Sequence, residues 1–260
     1  MSPTYRHLWS WKVYRYDAFK AYAHSVDWND YDAALFDLDG VITPTAEVHM
    51  RAWHRMFSDY FAAKGLEPYT ESDYFTYLDG KPRYDGVRSM LEARGITLPD
   101  GDPSDPPEAE TVCGLGNRKN TVFSQTLQDE GVVAYPGSVK LVEELEARGT
   151  RMAIVSSSAN AADVLAAAGL SKDFEIIIGG KEAKARGLRG KPAPDTFLYA
   201  AELLGVSKER AVVFEDALSG VAAGHAGEFG LVIGVDRGAG AAELTAHGAD
   251  VVVGDLAELL

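Results

Sequence analysis

The sequence predicts an α/β fold: a parallel sheet covered by helices on both faces and interrupted by a helical insertion. Three observations carry this expectation. Apolar, β-branched runs alternate with helical patterns from residue 135 onward. A matching apolar run stands alone at residues 33–36. Between the two lies a stretch whose apolar spacing is helical only.

The elements follow in order. AALFDLDG, from residue 33, reads as a buried strand rising to two aspartates and a turn glycine. AEVHMRAWHRMFSDYFAAKG then puts Val48, Ala52, Trp53, Met56, Phe57, Tyr60 and Phe61 on one helical stripe, and Gly65 is placed to end that helix. YDGVRSMLEARG and GNRKNTVFSQTLQDEG are also helical, and DGDPSDPPEAE between them has the Pro, Asp and Gly content of an exposed loop. After YPG at 135–137 come helix SVKLVEELEARG, strand RMAIVSSS, helix ADVLAAAGL and strand FEIIIGG. Helix PDTFLYAAELLG, strand ERAVVFEDA, helix SGVAAGHAG and strands LVIGV and ADVVVGD complete the pattern. The expected organisation is an arm over 1–28, a core over 29–48 and 133–260, and a helical cap over 49–132.

Composition narrows the function classes. The 260 residues carry 39 acids against 25 bases, a net charge of −14, and such a field repels nucleic acid and anionic membranes. One cysteine, Cys113, allows no internal disulfide, no apolar run reaches the ~18 residues of a membrane span, and MSPTYRHLWSWK lacks a signal-like apolar core. A cytoplasmic protein is expected, a monomer or weak dimer, with Cys113 as a packing residue. The arm holds Trp9, Trp11 and Trp28 among Arg6, Lys12, Arg15 and Lys20, and could dock on a partner or pack back on the body.

Ligands of open parallel sheets bind beyond the carboxyl ends of the strands. Four such places carry polar groups here: Asp37 with Asp39, Ser156 to Ser158, Lys191 beside Pro192, and Glu215 with Asp216. If the turn bends both Asp37 and Asp39 to one centre, one can attack while the other handles a proton. Hard carboxylate oxygens suit Mg2+, and there is no Cys or His cluster for zinc. Serine hydroxyls and N–H groups where a strand hands over to a helix can hold phosphoryl oxygens, and Lys191 supplies a fixed charge. Together the set suggests phosphoryl transfer through an aspartyl-phosphate.

FDLDGVIT, VSSSAN, GKPAPDTF and VFEDALSGVAAGHAG, in that order, resemble the four motifs of the haloacid dehalogenase-like superfamily over roughly residues 30–260. That resemblance implies a Rossmann-like core with an inserted α-helical cap. Within the superfamily, DLDGVITPTAEVHMRAW, DGKPRYDGV and NRKN are most similar to the β-phosphoglucomutase family. The resemblance implies Asp37 as nucleophile, Asp39 as general acid/base, and Ser156, Ser157 and Lys191 at the transferring phosphoryl group. It also implies Mg2+ on Asp37, the carbonyl of Asp39, Glu215 and Asp216, with Arg83 on a distal phosphate. Gly80 and Lys119 would line the sugar site, and Thr45 and His49 would lie near the general acid; His49 reads equally as an ordinary helix residue. The substrate would be a small sugar phosphate, with β-glucose 1,6-bisphosphate as intermediate and activator. A phosphatase using the same residues, or a non-catalytic sensor, are the rivals. Two positions depart from the family pattern: Pro44 where an acid is usual, and Asp79 where lysine precedes the cap glycine.

Overall fold

The computed structural model describes residues 26–260. Trp9, Trp11 and the arm's basic residues lie outside the described residues. Trp28 lies inside them and packs on the body: its ring stacks on Phe214 at 6.3 Å and its indole N–H donates to the Leu259 carbonyl at 3.4 Å.

Strands β1 (Ala33–Phe36), β2 (Arg151–Val155), β3 (Ile176–Ile178), β4 (Ala211–Glu215), β5 (Leu231–Val235) and β6 (Val251–Val253) form one wholly parallel sheet ordered β3-β2-β1-β4-β5-β6. The two-residue period sorts their side chains onto two faces. Ala34, Phe36, Ile154, Val212 and Phe214 enter one apolar cluster, while Ala33, Leu35, Ala153, Val155 and Val213 enter the other. Both faces are therefore dry, which is why these runs are continuously apolar in sequence.

Helices α1 (Thr45–Ala63), α2 (Glu71–Asp73), α3 (Arg83–Ala93) and α4 (Val112–Glu130) interrupt the chain between β1 and β2. Their facing sides make a third cluster around Trp53, Phe57, Phe61, Val87, Met90 and Leu115. Each such side chain stabilises by about 1.5–3 kcal/mol when fully buried, and Cys113 sits buried beside them. Helices α5 (Pro136–Arg148), α6 (Ala161–Ala167), α7 (Gly180–Arg186), α8 (Asp195–Leu204), α9 (Leu218–Ala226) and α10 (Ala241–Ala246) cover the sheet. Pro136 opens α5 in the first turn and Gly149 closes it in the left-handed region, the positions where each residue costs least.

Three pieces escape sequence periodicity. Residues 70–78 form α2 and a wide π-type turn over Tyr74–Leu78, opened by a capping box between Thr70 and Asp73. Helices α7 and α10 each bury one apolar residue, Ala183 and Leu244, too few to print a stripe. Helix α1 begins at Thr45, one residue before the helical stretch read from Ala46, with Pro44 just ahead of its first turn, where it has no N–H to lose.

Candidate active site

The sheet order reverses between β1 and β4, the place where an open parallel sheet leaves a crevice. Register then fixes what meets there. Phe36 pairs with Phe214 and Ile154, so Asp37 emerges level with Glu215, and Ser156 follows one residue beyond the end of β2; the Asp37 N–H donates to the Phe214 carbonyl at 2.9 Å. The turn after β1 bends through Gly40, whose φ is +92° and where a Cβ would fall 1.8 Å from Asp216 Oδ2. No other residue fits both constraints, so glycine is what lets Asp37 and Asp39 line one cavity.

Asp37, Glu215 and Asp216 each bring a carboxylate oxygen within 4.8 Å of the other two, all buried. Lys191 is buried among them: its Nζ donates to Asp37 Oδ1 at 2.5 Å and to the Val155 carbonyl at 2.9 Å, and it pairs with Glu215. Burial pushes the Asp37 carboxyl well up; Lys191 pulls against this, and Glu215 and Asp39 add to it. Asp216 is likewise raised, by burial and then by the charges of Asp79 and Asp37. For Lys191 the desolvation cost is outweighed by Asp37 and Glu215, which hold it protonated. So many hard oxygens crowded around a single ammonium fit a divalent cation.

Asp39 behaves differently. Thr45 donates to its Oδ1, Ser156 Oγ to its Oδ2 at 3.3 Å, and His49 Nε2 lies 3.5 Å away. Burial works to raise its pKa, but His49, Thr45 and Lys119 together carry it below the usual carboxylate value. Burial and the Lys119 charge lower His49 as well, and Lys119 Nζ contacts His49 Nδ1. A neutral imidazole that accepts from Lys119 and donates toward Asp39 satisfies all three groups, which assigns its tautomer. Lys119, buried over the rings of Trp53 and Phe123 at 4.9 Å each, is itself lowered to about 7 by burial and Arg83. His49 is thus a partly exposed residue of α1 that lines the cavity beside Asp39.

The far wall belongs to the helical block. Arg83 donates to Asn117 Oδ1 at 3.2 Å and Asn120 Oδ1 at 2.8 Å. Asn160, on the other side of the cleft, donates to the same Asn120 oxygen at 2.8 Å. Ser157 Oγ donates to the Gly80 carbonyl at 2.8 Å, and Ser219 Oγ to the Asp79 carbonyl at 3.0 Å. Gly80 has φ +66°, and a Cβ there would fall 2.3 Å from Ser219 Oγ. These contacts bring the wall over a part-open cavity of about 70 Å³ lined by every expected site residue except Thr45 and Lys191. Sequence reasoning singled out neither Asn120, Asn160 nor Tyr74; the first two lie inside NRKN and VSSSAN, and Tyr74 carried no signal.

The family model for haloacid dehalogenase-like hydrolases matches residues 31–227. The chain belongs to this family. This haloacid dehalogenase-like chain is 52% identical over 238 residues to β-phosphoglucomutases of Mycobacterium bovis and Mycobacterium tuberculosis, covering 88% of it and 91% of them. Among solved structures it is similar to β-phosphoglucomutase of Clostridium difficile, with TM-score 0.70, 25% identity, and coverage of 88% of this chain and 93% of that one. It is similar also to CbbY of Rhodobacter sphaeroides in complex with phosphate, with TM-score 0.68, 27% identity, and coverage of 88% and 96%. Among the described residues no helix is long and apolar enough to cross a membrane.

Proposed function

We propose that the protein interconverts β-D-glucose 1-phosphate and β-D-glucose 6-phosphate through an aspartyl-phosphate on Asp37. The observation that carries this reading is one cavity with basic groups toward two ends, Lys191 behind Ser156 at one and Arg83 at the other. A hydrolase acting on a monophosphate needs one such end; a mutase needs both, because its intermediate carries two phosphates. The 52% identical relatives bear the matching name.

The chemistry follows from the residues. A sugar hydroxyl attacks the phosphorus on Asp37, Asp39 accepts its proton, and the Asp37–phosphorus bond breaks to give β-glucose 1,6-bisphosphate. The bisphosphate turns end for end. Asp37 then attacks the other phosphate while Asp39 returns the proton to the departing sugar oxygen. Lys191 holds the charge of the group in flight, Ser156 and Ser157 hold its oxygens, and Lys119 through His49 keeps Asp39 oriented. Arg83 grips the phosphate that stays, with Gly80 and Thr45 shaping the approach. Mg2+ held by Asp37, Glu215, Asp216 and the Asp39 carbonyl would neutralise phosphoryl charge. The helical block 49–132 acts as the cap and excludes water, which would otherwise hydrolyse the aspartyl-phosphate. The reading extends to a cytoplasmic monomer or weak dimer that takes the bisphosphate as activator.

A coupled assay tests it: β-glucose 1-phosphate is supplied with and without the bisphosphate, and glucose 6-phosphate and free phosphate are read together. Glucose 6-phosphate in large excess, rising with added bisphosphate, supports the mutase. Free phosphate matching substrate consumed supports the phosphatase instead.

A further inference from the structure

Asp79 is the one position where the site's charge runs against the family resemblance, acid for base. Its carboxylate lines the same cavity as Asp37, Glu215 and Asp216. Of the charges acting on Asp216 its own is the largest, and Glu215 acts on it in turn. Tyr74 and the Gly80 N–H steady it, while burial raises it to about 6. No Lys, Arg or His nitrogen lies within 4.0 Å of it among the described residues. Four carboxylates therefore face one ammonium, Lys191. An enclosed carboxylate without a cation is costly, and the cost grows with each like charge brought beside it.

Asp79 also sits in the helical block, where that block meets the core. Its carbonyl accepts from Ser219 Oγ on α9, and the next carbonyl, that of Gly80, accepts from Ser157 Oγ. These two bonds hold the loop that carries Asp79 against the core.

We propose that Asp79 is a positioning residue that couples cap closure to the divalent cation, on the metal reading given above. With the trio empty of metal, closure drives a fourth carboxylate against three others and is opposed. With the cation present, the same closure brings an anion toward a cation and is favoured. Linkage makes the effect reciprocal: the ion closes the cap, and the closed cap holds the ion. The lysine that the family pattern would place here has the opposite sign toward the cation.

The test is a calorimetric Mg2+ titration of the chelator-treated full chain, alongside Asp79→Asn and Asp79→Glu, with solution scattering to follow closure. The expected result is about 10-fold weaker Mg2+ binding in Asp79→Asn, the loss typical when a group around a metal's ligands is removed. Asp79→Glu should recover most of it, and Mg2+-induced compaction should be clear in the wild type and small in Asp79→Asn. Circular dichroism checks folding, and Asp79→Ser replaces Asp79→Asn if that variant fails to fold. Equal or tighter Mg2+ binding in a folded charge-removed variant overturns the inference, even if its KM for sugar changes. A wild type that binds no Mg2+ overturns the metal reading and this inference together. Neither readout depends on whether the sugar product is isomerised or hydrolysed.

Discussion

The two walls of the cavity are built on different principles. The core wall hangs from strand ends: Asp37, Ser156, Glu215 and Asp216 are set by the pairing of Phe36 with Ile154 and Phe214, and a slip in register would scatter all of them. The cap wall hangs from helix faces and a loop, and its polar groups are held by side-chain hydrogen bonds such as those joining Arg83, Asn120 and Asn160. The first wall is rich in carboxylates; the second carries most of the positive charge. On the proposed function, the chemistry sits on the sheet and the recognition of the distal phosphate on the helical block.

The sharpest way to break this contrast is at the core wall. Asp37→Asn removes the proposed nucleophile while keeping the side chain's shape, and turnover is expected to fall by about 10⁴-fold or more. Its fold should survive, since Lys191 keeps its contacts with Glu215 and the Val155 carbonyl; circular dichroism and a urea melt check this. Residual mutase turnover within about 100-fold of wild type would remove Asp37 from the role.

The cap wall gives a smaller and more selective effect. Arg83→Ala is expected to lower mutase turnover about 100-fold, the scale of one or two charge-assisted hydrogen bonds. Hydrolysis of a small phosphate monoester with no distal phosphate should change only a few-fold. Equal losses on both substrates would assign Arg83 to the scaffold of Asn117 and Asn120 and not to a phosphate.

The same contrast explains what could be read from the sequence. Strands β1, β2 and β4 are dry on both faces, so their apolar runs, and the acids and serines that end them, stand out against the pattern. The stripe from Ala52 to Phe61 is legible for the same reason on a helical period. The amide network is different. Asn120 and Asn160 are 40 residues apart and meet across the cleft, a contact that no local period encodes. The Lys119–His49–Asp39 chain depends on α4 crossing α1, so composition alone left His49 open between two readings. Trp53 read as a core residue and is one, yet its ring also lies under Lys119 at the cavity.

Lys119 offers the finest test, because it links the walls through a proton. Burial and Arg83 lower its pKa to about 7, with Asp39 opposing, so it changes charge near neutral pH. Below about pH 7 it is a cation that donates to His49; above, it is neutral, and Asp39 loses part of the support that keeps it ionised and oriented. Replacement by Met keeps the stem over Trp53 and Phe123 and removes the charge. Lys119→Met should therefore be several-fold slower than wild type at pH 6, with the gap narrowing as pH rises through 7 and 8. Stability carries the opposite sign. An unfolded lysine keeps its proton up to about 10.4, so between about pH 7 and 10 the unfolded chain binds more protons than the native one. Wild-type stability relative to Lys119→Met should accordingly rise over that interval, where the penalty for burying the cation is relieved. Urea melts of both proteins at pH 6.5, 8 and 9.5 read this directly. A rate ratio and a stability difference that both stay flat with pH would place the depressed lysine elsewhere and leave Asp39 under the control of Thr45, Ser156 and His49 alone.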